Sequence, residues 1–239
     1  VTTTELEKEL RSKGFAFARA AQIKPGLGLP PGGLPSDWET FAHSWDELVR
    51  DEYMADGGRD RLRRHAVLEA EPGKTPVLRP KQPHYQSRDY NPLNGGVARW
   101  FEPIRPEIVA GETMRRALEF SRGLFERLRP GVKRWKIEVH QFRIEAQPGA
   151  PGRPTPEGMH RDGVDCVLVL LIRRENVEKG TTEVRSVSGE PLGSFTLEEP
   201  FDAALVDDAR VMHGVTPVLP LDASWPAYRD VLVVTFAGN

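Results

Sequence analysis

Val164-Asp165-Cys166-Val167-Leu168-Val169-Leu170-Leu171-Ile172 is the stretch that decides the fold. It is rich in β-branched residues and bounded by Gly163 and by Arg173-Arg174, and it falls far short of the ~20 residues that span a bilayer. It reads as a strand buried on both faces. Outward from it, Trp135 to Glu145, Thr182 to Val187, Leu192 to Leu197, Ala203 to Val206, Arg210 to Val215 and Tyr228 to Phe236 alternate apolar with polar residues. Turns such as Lys179-Gly180 and Ser188-Gly189-Glu190-Pro191 separate them. Short strands punctuated this regularly predict a sandwich or barrel. The expectation is a mainly β chain with flanking helices, forming one domain over 1–239. Residues 131–239 would make a jelly-roll core, and residues 1–130 a helical and mixed N-terminal elaboration.

The first half carries the helices. Thr4 with Glu7 reads as a capping box, Leu6 and Leu10 mark one face, and Gly14 ends the helix. Phe15 to Arg19 reads as a short strand and Lys24 to Pro35 as a loop. Ser36 with Glu39 reads as a second capping box, opening a helix with Trp38, Phe41, Trp45, Leu48 and Val49 on its core face. Leu62 to Ala70 and Pro76 to Pro80 pair as a hairpin. Glu112 to Leu128 is the clearest helix. Between them, His84 to Gly96 has no period and is rich in hydrogen-bonding groups, as expected of a surface or binding loop.

Lys and Arg number 33 against 35 Asp and Glu, for a net charge of −2. Without a basic bias, nucleic acid is not an expected partner. Arg59, Arg61, Arg63 and Arg64 read as a solvated face. Cys166 is the sole cysteine and reads as a buried structural thiol. Acidic residues in the first turns argue against a signal peptide, and no apolar run is long enough for a membrane span. The expected location is the cytoplasm.

The chemistry-bearing pattern is His160-Arg161-Asp162, followed at a distance by His213. Residues i and i+2 of a strand point the same way, so His160 and Asp162 offer two ligands side by side. His213 shares a strand face with Val211 and Val215 and would point into a barrel. Two imidazoles and one carboxylate make the facial triad of a non-haem Fe(II) site, leaving three positions open. His-x-Asp/Glu alone arises about once by chance in such a composition, and the alternative is a turn aspartate with two satisfied core histidines. In the last strand, Arg229, Val231, Val233 and Thr235 share a face. Arg grips carboxylates bidentately, so Arg229 is a candidate for an anionic co-substrate; a salt bridge to Asp230 or Asp222 is the alternative.

Residues 154–169 (PTPEGMHRDGVDCVLV), 207–217 (DDARVMHGVTP) and 229–236 (RDVLVVTF) resemble the bacterial 2-oxoglutarate/Fe(II) dioxygenases that hydroxylate free amino acids, the L-isoleucine dioxygenase-like and pipecolic acid hydroxylase-like group. The resemblance extends to His140-Gln141-Phe142-Arg143-Ile144 and to the loop at 90–96. It implies a double-stranded β-helix of jelly-roll or cupin-like type, with iron on His160, Asp162 and His213 and 2-oxoglutarate on Arg229. Thr235 is a further candidate for the same co-substrate carboxylate. The implied reaction uses Fe(II), 2-oxoglutarate and O2 to hydroxylate an unactivated C–H of a free L-amino or imino acid, such as isoleucine, leucine, pipecolate or proline. Its products are the hydroxy-amino acid, succinate and CO2, in secondary metabolism. Asp162, not Gly or Ala, argues against a halogenase.

A zwitterionic substrate in a buried pocket needs partners for both charges. Gln141 and Arg143 on the Trp135 to Glu145 strand, Arg88 and Tyr90 in the irregular loop, and Glu157 before the triad are the substrate-binding candidates. An external salt-bridge ladder is the alternative for Gln141 and Arg143. His43, His65, His84 and His140 read as structural or exposed. Two other functions remain open: a metal-dependent cupin-like enzyme that does not use 2-oxoglutarate and so does not need Arg229, and a non-catalytic β-sandwich that binds a ligand but no iron.

Overall fold

The computed structural model describes residues 3–54 and 59–239. Helix α1 (Thr3–Lys13) buries Leu6 and Leu10. It begins at Thr3, so Thr4 sits inside the helix and the predicted Thr4–Glu7 box does not open it. Gly14 stops it with φ +83°, and a Cβ there would meet Val211 at 2.7 Å. After β1 (Phe15–Ala18), α2 (Ala20–Gly26) takes in Lys24 and Pro25, which the Pro/Gly content assigned to a loop. The loop starts later because Ile23 is buried and holds the turn.

Helix α3 (Trp38–His43) passes into a 3₁₀ turn at Ser44–Glu47 and then into β2 (Val49–Arg50). Phe41 and Trp45 reach the core as the spacing predicts, whereas Val49 is exposed. The expected Ser36–Glu39 box is absent. Ser36 Oγ donates to Glu112, while Asp37 accepts the Thr113 amide and hydroxyl at 3.0 and 2.5 Å. These side chains thus cap a different helix.

Strand β3 (Arg61–Ala70) and β4 (Val77–Leu78) form the expected hairpin. Helix α4 (Pro106–Val109), not among the expected elements, leads into α5 (Glu112–Leu128), which keeps its expected bounds. The remainder is strand: β5 (Trp135–Ala146), β6 (Cys166–Glu175), β7 (Val177–Lys179), β8 (Thr181–Ser186), β9 (Pro191–Thr196), β10 (Ala203–Asp207), β11 (Val211–Val215), β12 (Val218–Pro220) and β13 (Ala227–Gly238).

The large sheet runs β1-β10-β6-β13-β5-β3-β2, with β4 beside β3; smaller sheets run β11-β8-β9 and β12-β7. The neighbours in the large sheet are antiparallel and mostly far apart in sequence, as a jelly roll requires. Its outer face packs on the helices through Ile137, Val139, Leu168, Leu170, Leu232, Val234, Leu124 and Phe125. Its inner face, carrying Val167, Val169, Val206, Val231 and Val233, looks across a cavity toward the small β11-β8-β9 sheet. That two-sided burial explains why β6 reads as a continuous apolar run. No helix among the described residues is long and apolar enough to cross a membrane.

Candidate active site

The cavity between the sheets holds about 370 Å³ and contains His160, Asp162 and His213. An antiparallel bridge joins His160 to His213 through backbone bonds of 2.9 and 3.0 Å, which adds the His160 segment to the small sheet as a further edge. The imidazole centroids lie 4.6 Å apart. Asp162 places Oδ1 3.8 Å from His160 Nε2 and Oδ2 3.6 Å from His213 Nε2. One ligand atom from each residue lies within 4.8 Å of the others.

His160 Nδ1 is 3.0 Å from the Gly158 carbonyl, to which it donates, leaving the Nε2 lone pair for the centre. Burial holds His213 well below the usual histidine range, at about 3, so it is the neutral imidazole that a metal needs. Burial pushes Asp162 up, a cost that a cation would relieve. Two imidazole nitrogens and a carboxylate converge without bonding to one another, and this donor set fits Fe(II).

The carboxylate ligand is held from behind. Asp208 accepts the backbone N–H groups of Asp162, Gly163 and Val164 at 2.8, 2.8 and 3.1 Å. Gly163 has φ +79°, and a Cβ there would strike the Tyr90 ring at 2.6 Å. Gln86 Nε2 donates to the Asp162 carbonyl at 3.1 Å, and Gln86 Oε1 accepts from Asn91 and Arg99. The irregular loop is therefore tied directly to the triad.

Arg229 is 3% exposed and lines the cavity. Among the described residues it makes no hydrogen bond or ion pair, and its Nε is orphaned. Burial and the nearby Arg174 lower it to about 10. The alternative salt bridges are occupied elsewhere: Asp230 binds Arg143 and Arg173, and Asp222 binds Ser224. A buried guanidinium without an anion is costly unless a ligand supplies one. Thr235 also lines the cavity, but six residues along β13 place it about 20 Å from Arg229 at strand rise. The two cannot hold one carboxylate. The buried Thr182 lies two residues from Gly180, whose ideal Cβ would sit 3.8 Å from the Arg229 Cδ, and it lines the cavity too.

The family model described as 2OG-Fe dioxygenase matches residues 42–235. The chain belongs to the 2OG-Fe dioxygenase family. That family uses Fe(II), 2-oxoglutarate and O2. The chain is 29% identical over 162 residues to a 3(1)-hydroxy-L-isoleucine 4-dioxygenase from Pantoea ananatis, spanning 66% of this chain and 64% of that protein. It is 28% identical over 164 residues to an L-isoleucine-4-hydroxylase from Bacillus thuringiensis, spanning 67% and 68%. Among solved structures, a BsmA homologue from Methylobium petroleophilum matches with TM-score 0.88 and 38% identity, over 100% of this chain and 94% of that one. The IDO structure from Bacillus thuringiensis matches with TM-score 0.79 at 20% identity over 99% of both chains, a likeness of fold. The double-stranded β-helix implied by the sequence resemblance is thus the fold of this 2OG-Fe dioxygenase.

The substrate candidates divide. Glu157 and Tyr90 line the cavity, and Glu157 Oε1 lies 3.6 Å from His160 Nε2. Arg88 is exposed over Gly96 and does not line it. Gln141 and Arg143 face the other way. Gln141 donates to Ser44 Oγ at 2.7 Å; Arg143 binds Asp230 through two bonds of 2.7 and 2.8 Å, reaches Asp46 at 2.8 Å and stacks on Tyr228. They belong to the salt-bridge face, because Ile137 and Val139 share their parity and pack on the helices. The opposite parity of β5, with Glu138, His140 and Phe142, lines the cavity.

The same alternation overturns the solvated reading of the arginine patch. Arg61 and Arg63 are buried and line the cavity, whereas Arg59 is exposed and Arg64 bonds loop carbonyls on the other face. Arg63 binds Asp51 at 3.3 Å and His140 Nδ1 at 2.7 Å and lies between the Phe101 and Phe142 rings, with only its Nε left without a partner. Burial lowers it to about 9.

His65, His84 and His140, read as structural or exposed, gather around Glu138 as a second group of potential ligands. His65 Nε2 and His84 Nδ1 lie 3.0 and 2.5 Å from Glu138 Oε2, and Lys136 Nζ lies 2.5 Å from Oε1. Despite its burial, Glu138 is held well below the usual range by these histidine bonds. The group is satisfied by its own hydrogen bonds. The sequence signal for this wall was the i, i+2 recurrence of Arg61, Arg63 and His65, whose parity puts them on one polar strand face without saying that the face is interior.

Proposed function

We propose that this 2OG-Fe dioxygenase hydroxylates an unactivated C–H of a free L-amino acid or cyclic imino acid, the isoleucine, leucine, proline and pipecolate type. The observation that carries the reading is the enclosure, in one cavity, of a facial-triad donor set and an unpaired buried arginine. The names of the two curated relatives support the substrate class. His160, Asp162 and His213 would hold the iron. Bound there, iron supplies the activation of dioxygen, with 2-oxoglutarate consumed to succinate and CO2.

The chain's own residues do the positioning. Arg229 holds the distal carboxylate of 2-oxoglutarate. Val167, Val169, Val231 and Val233 exclude water from the reacting centre. Asp208 and Gln86 fix Asp162, and the loop at 84–96 covers the substrate. Residues 1–239 act as one catalytic domain. The protein works in the cytoplasm on a small molecule, without nucleic acid or membrane, and its buried Cys166 is a structural thiol. A role in secondary metabolism is inferred from the family resemblance alone.

The test is succinate formation with Fe(II) and ascorbate across a panel of free amino and imino acids, with His160→Ala as the blank. One amino acid should stimulate turnover strongly. Succinate without any stimulation would remove the free amino acid; none at all from iron-loaded protein would favour a cupin-like enzyme that does not use 2-oxoglutarate.

A further inference from the structure

Most buried ions in the cavity wall have partners. Arg61 donates to the Pro154 carbonyl at 2.6 Å, and Arg63 and Glu138 are committed as described. Besides Arg229, assigned above to the co-substrate, two are not satisfied in this way. Arg99 is 3% exposed, and what sets it apart is that its only side-chain hydrogen bond among the described residues is a long 3.4 Å contact to Gln86; its Nε is orphaned, as are those of Arg61 and Arg63. Glu157 has a side chain 8% exposed, with Oε2 orphaned and Oε1 facing His160 Nε2 at 3.6 Å. Both line the same cavity. Glu157 is among the charges that stabilise the Arg99 cation against its burial, so the two sense each other, yet they form no ion pair.

Opposite charges buried in one cavity gain from contact, and leaving either unpaired is costly. Their separation is explained by a guest that carries both complementary charges. We propose that Arg99 and Glu157 are a zwitterion clamp, Arg99 taking the α-carboxylate and Glu157 the α-ammonium of the amino acid substrate. The assignment rests on the free-amino-acid reading above. The guanidinium fork presents parallel N–H donors to a carboxylate, and a carboxylate is the acceptor that an ammonium needs. Arg99 sits at a backbone bridge with His84, with mutual N–H···O bonds of 2.9 Å, so its stem starts from the base of the loop that ties to Asp162 through Gln86. Substrate capture and the seating of that loop are thereby mechanically joined. The clamp also excludes peptides and carrier-bound residues, whose carboxyl group is an amide or thioester and offers Arg99 no charge.

The test is calorimetric binding to protein loaded with Fe(II) and 2-oxoglutarate under argon, where no turnover occurs. The probes are L-isoleucine, L-leucine, L-proline and L-pipecolate, each with its primary amide and its N-acetyl derivative. For wild type, amide and N-acetyl forms should bind at least about 30-fold more weakly than the free amino acid, the usual cost of breaking a buried charged pair. Arg99→Gln should weaken the free acid by a similar factor and leave the amide unchanged. Glu157→Gln should weaken the free amino acid and leave the N-acetyl form unchanged. Arg99→Lys, which keeps the charge, should restore part of the acid-over-amide preference. Equal weakening of acid and amide by Arg99→Gln, or wild-type binding indifferent to either derivative, overturns the clamp while the free-amino-acid reading stands. If wild type binds none of the four free amino acids, that reading fails and the clamp with it. Should Arg99→Gln not fold, the wild-type selectivity and Arg99→Lys decide the matter.

Discussion

Replacing Asp208 by Asn tests whether the triad is held by the turn behind it. The Asp208 carboxylate accepts three backbone N–H groups, one on Oδ1 and two on Oδ2. An asparagine keeps one oxygen and turns the other into an NH2 that faces an N–H donor. At least one charge-assisted bond is lost and the remaining ones become neutral, worth about 2 kcal/mol in all. For a chain of this length that lowers Tm by about 4–8 °C. Asp162 then loses its fixed backbone, and the centre loses one negative charge close to the cation. Changes to groups that orient metal ligands cost about 10–100-fold in metal affinity, and that range is expected for Fe(II) or for Co(II) as a visible probe. The assay is anaerobic metal titration beside a thermal scan of the metal-free protein. Unchanged metal affinity in Asp208→Asn would refute the view that this carboxylate positions the iron site.

Arg229→Gln should raise the 2-oxoglutarate half-saturation at least about 30-fold, yet leave the ligand-free protein as stable as before or more so, because an unpaired buried cation is removed; unchanged half-saturation would refute the co-substrate role. Arg143→Ala should do the reverse. It strips two bonds from the fully buried Asp230 and leaves it only Arg173, costing about 3 kcal/mol of stability. The half-saturation values for 2-oxoglutarate and amino acid should stay within two-fold, roughly the noise of distant sites, and a selective loss of amino-acid binding would return Arg143 to the substrate pocket. Acid should destabilise the metal-free protein. Burial lowers His65 and His140 and takes His84 to about 4, so between that value and the unfolded value of about 6.5 the unfolded chain binds more protons. The stability present above that range is lost as pH falls, and Glu138, also lowered, acts in the same direction below its own unfolded value. Tm should drop from pH 7 to pH 5, less steeply in His84→Gln; a flat or inverse profile would contradict the neutral-histidine arrangement.

The strand order could not be read from the chain, but the strands could. Alternation identified β5, β8, β10, β11 and β13 to within a residue or two, and the unbroken apolar run marked β6 as covered on both sides. Short strands such as β7 and β12 carry too few residues for a period, and they were missed. The convergence of His160, Asp162 and His213 was legible from the family pattern; of the three only His213 lies on a strand, while His160 sits on an isolated bridge and Asp162 outside any strand, so strand parity did not place that pair. On β5 the alternation points to the wrong face. Ile137 and Val139 look like a barrel interior, but this sheet is buried on its outer side by α5, so the apolar face meets helices and the polar face, with Glu138 and His140, lines the cavity. The same inversion hid Arg61 and Arg63, since charge in a sequence suggests solvent and only the fold shows a polar interior. Asp208 and Gln86 act through backbone bonds to a loop, which leave no mark in residue spacing. Thr235 was tied to Arg229 by shared face alone, without regard to the length of strand between them.

The most direct test of the central claim is a single reaction with isotopically labelled dioxygen. Iron-loaded protein, 2-oxoglutarate and the most stimulating free amino acid should yield a hydroxy-amino acid and succinate, each carrying one labelled oxygen, in equal amounts, and neither should form with His160→Ala. Labelled succinate without any hydroxylated amino acid would contradict the substrate assignment. Unlabelled or absent succinate from iron-loaded protein would contradict the account as a whole.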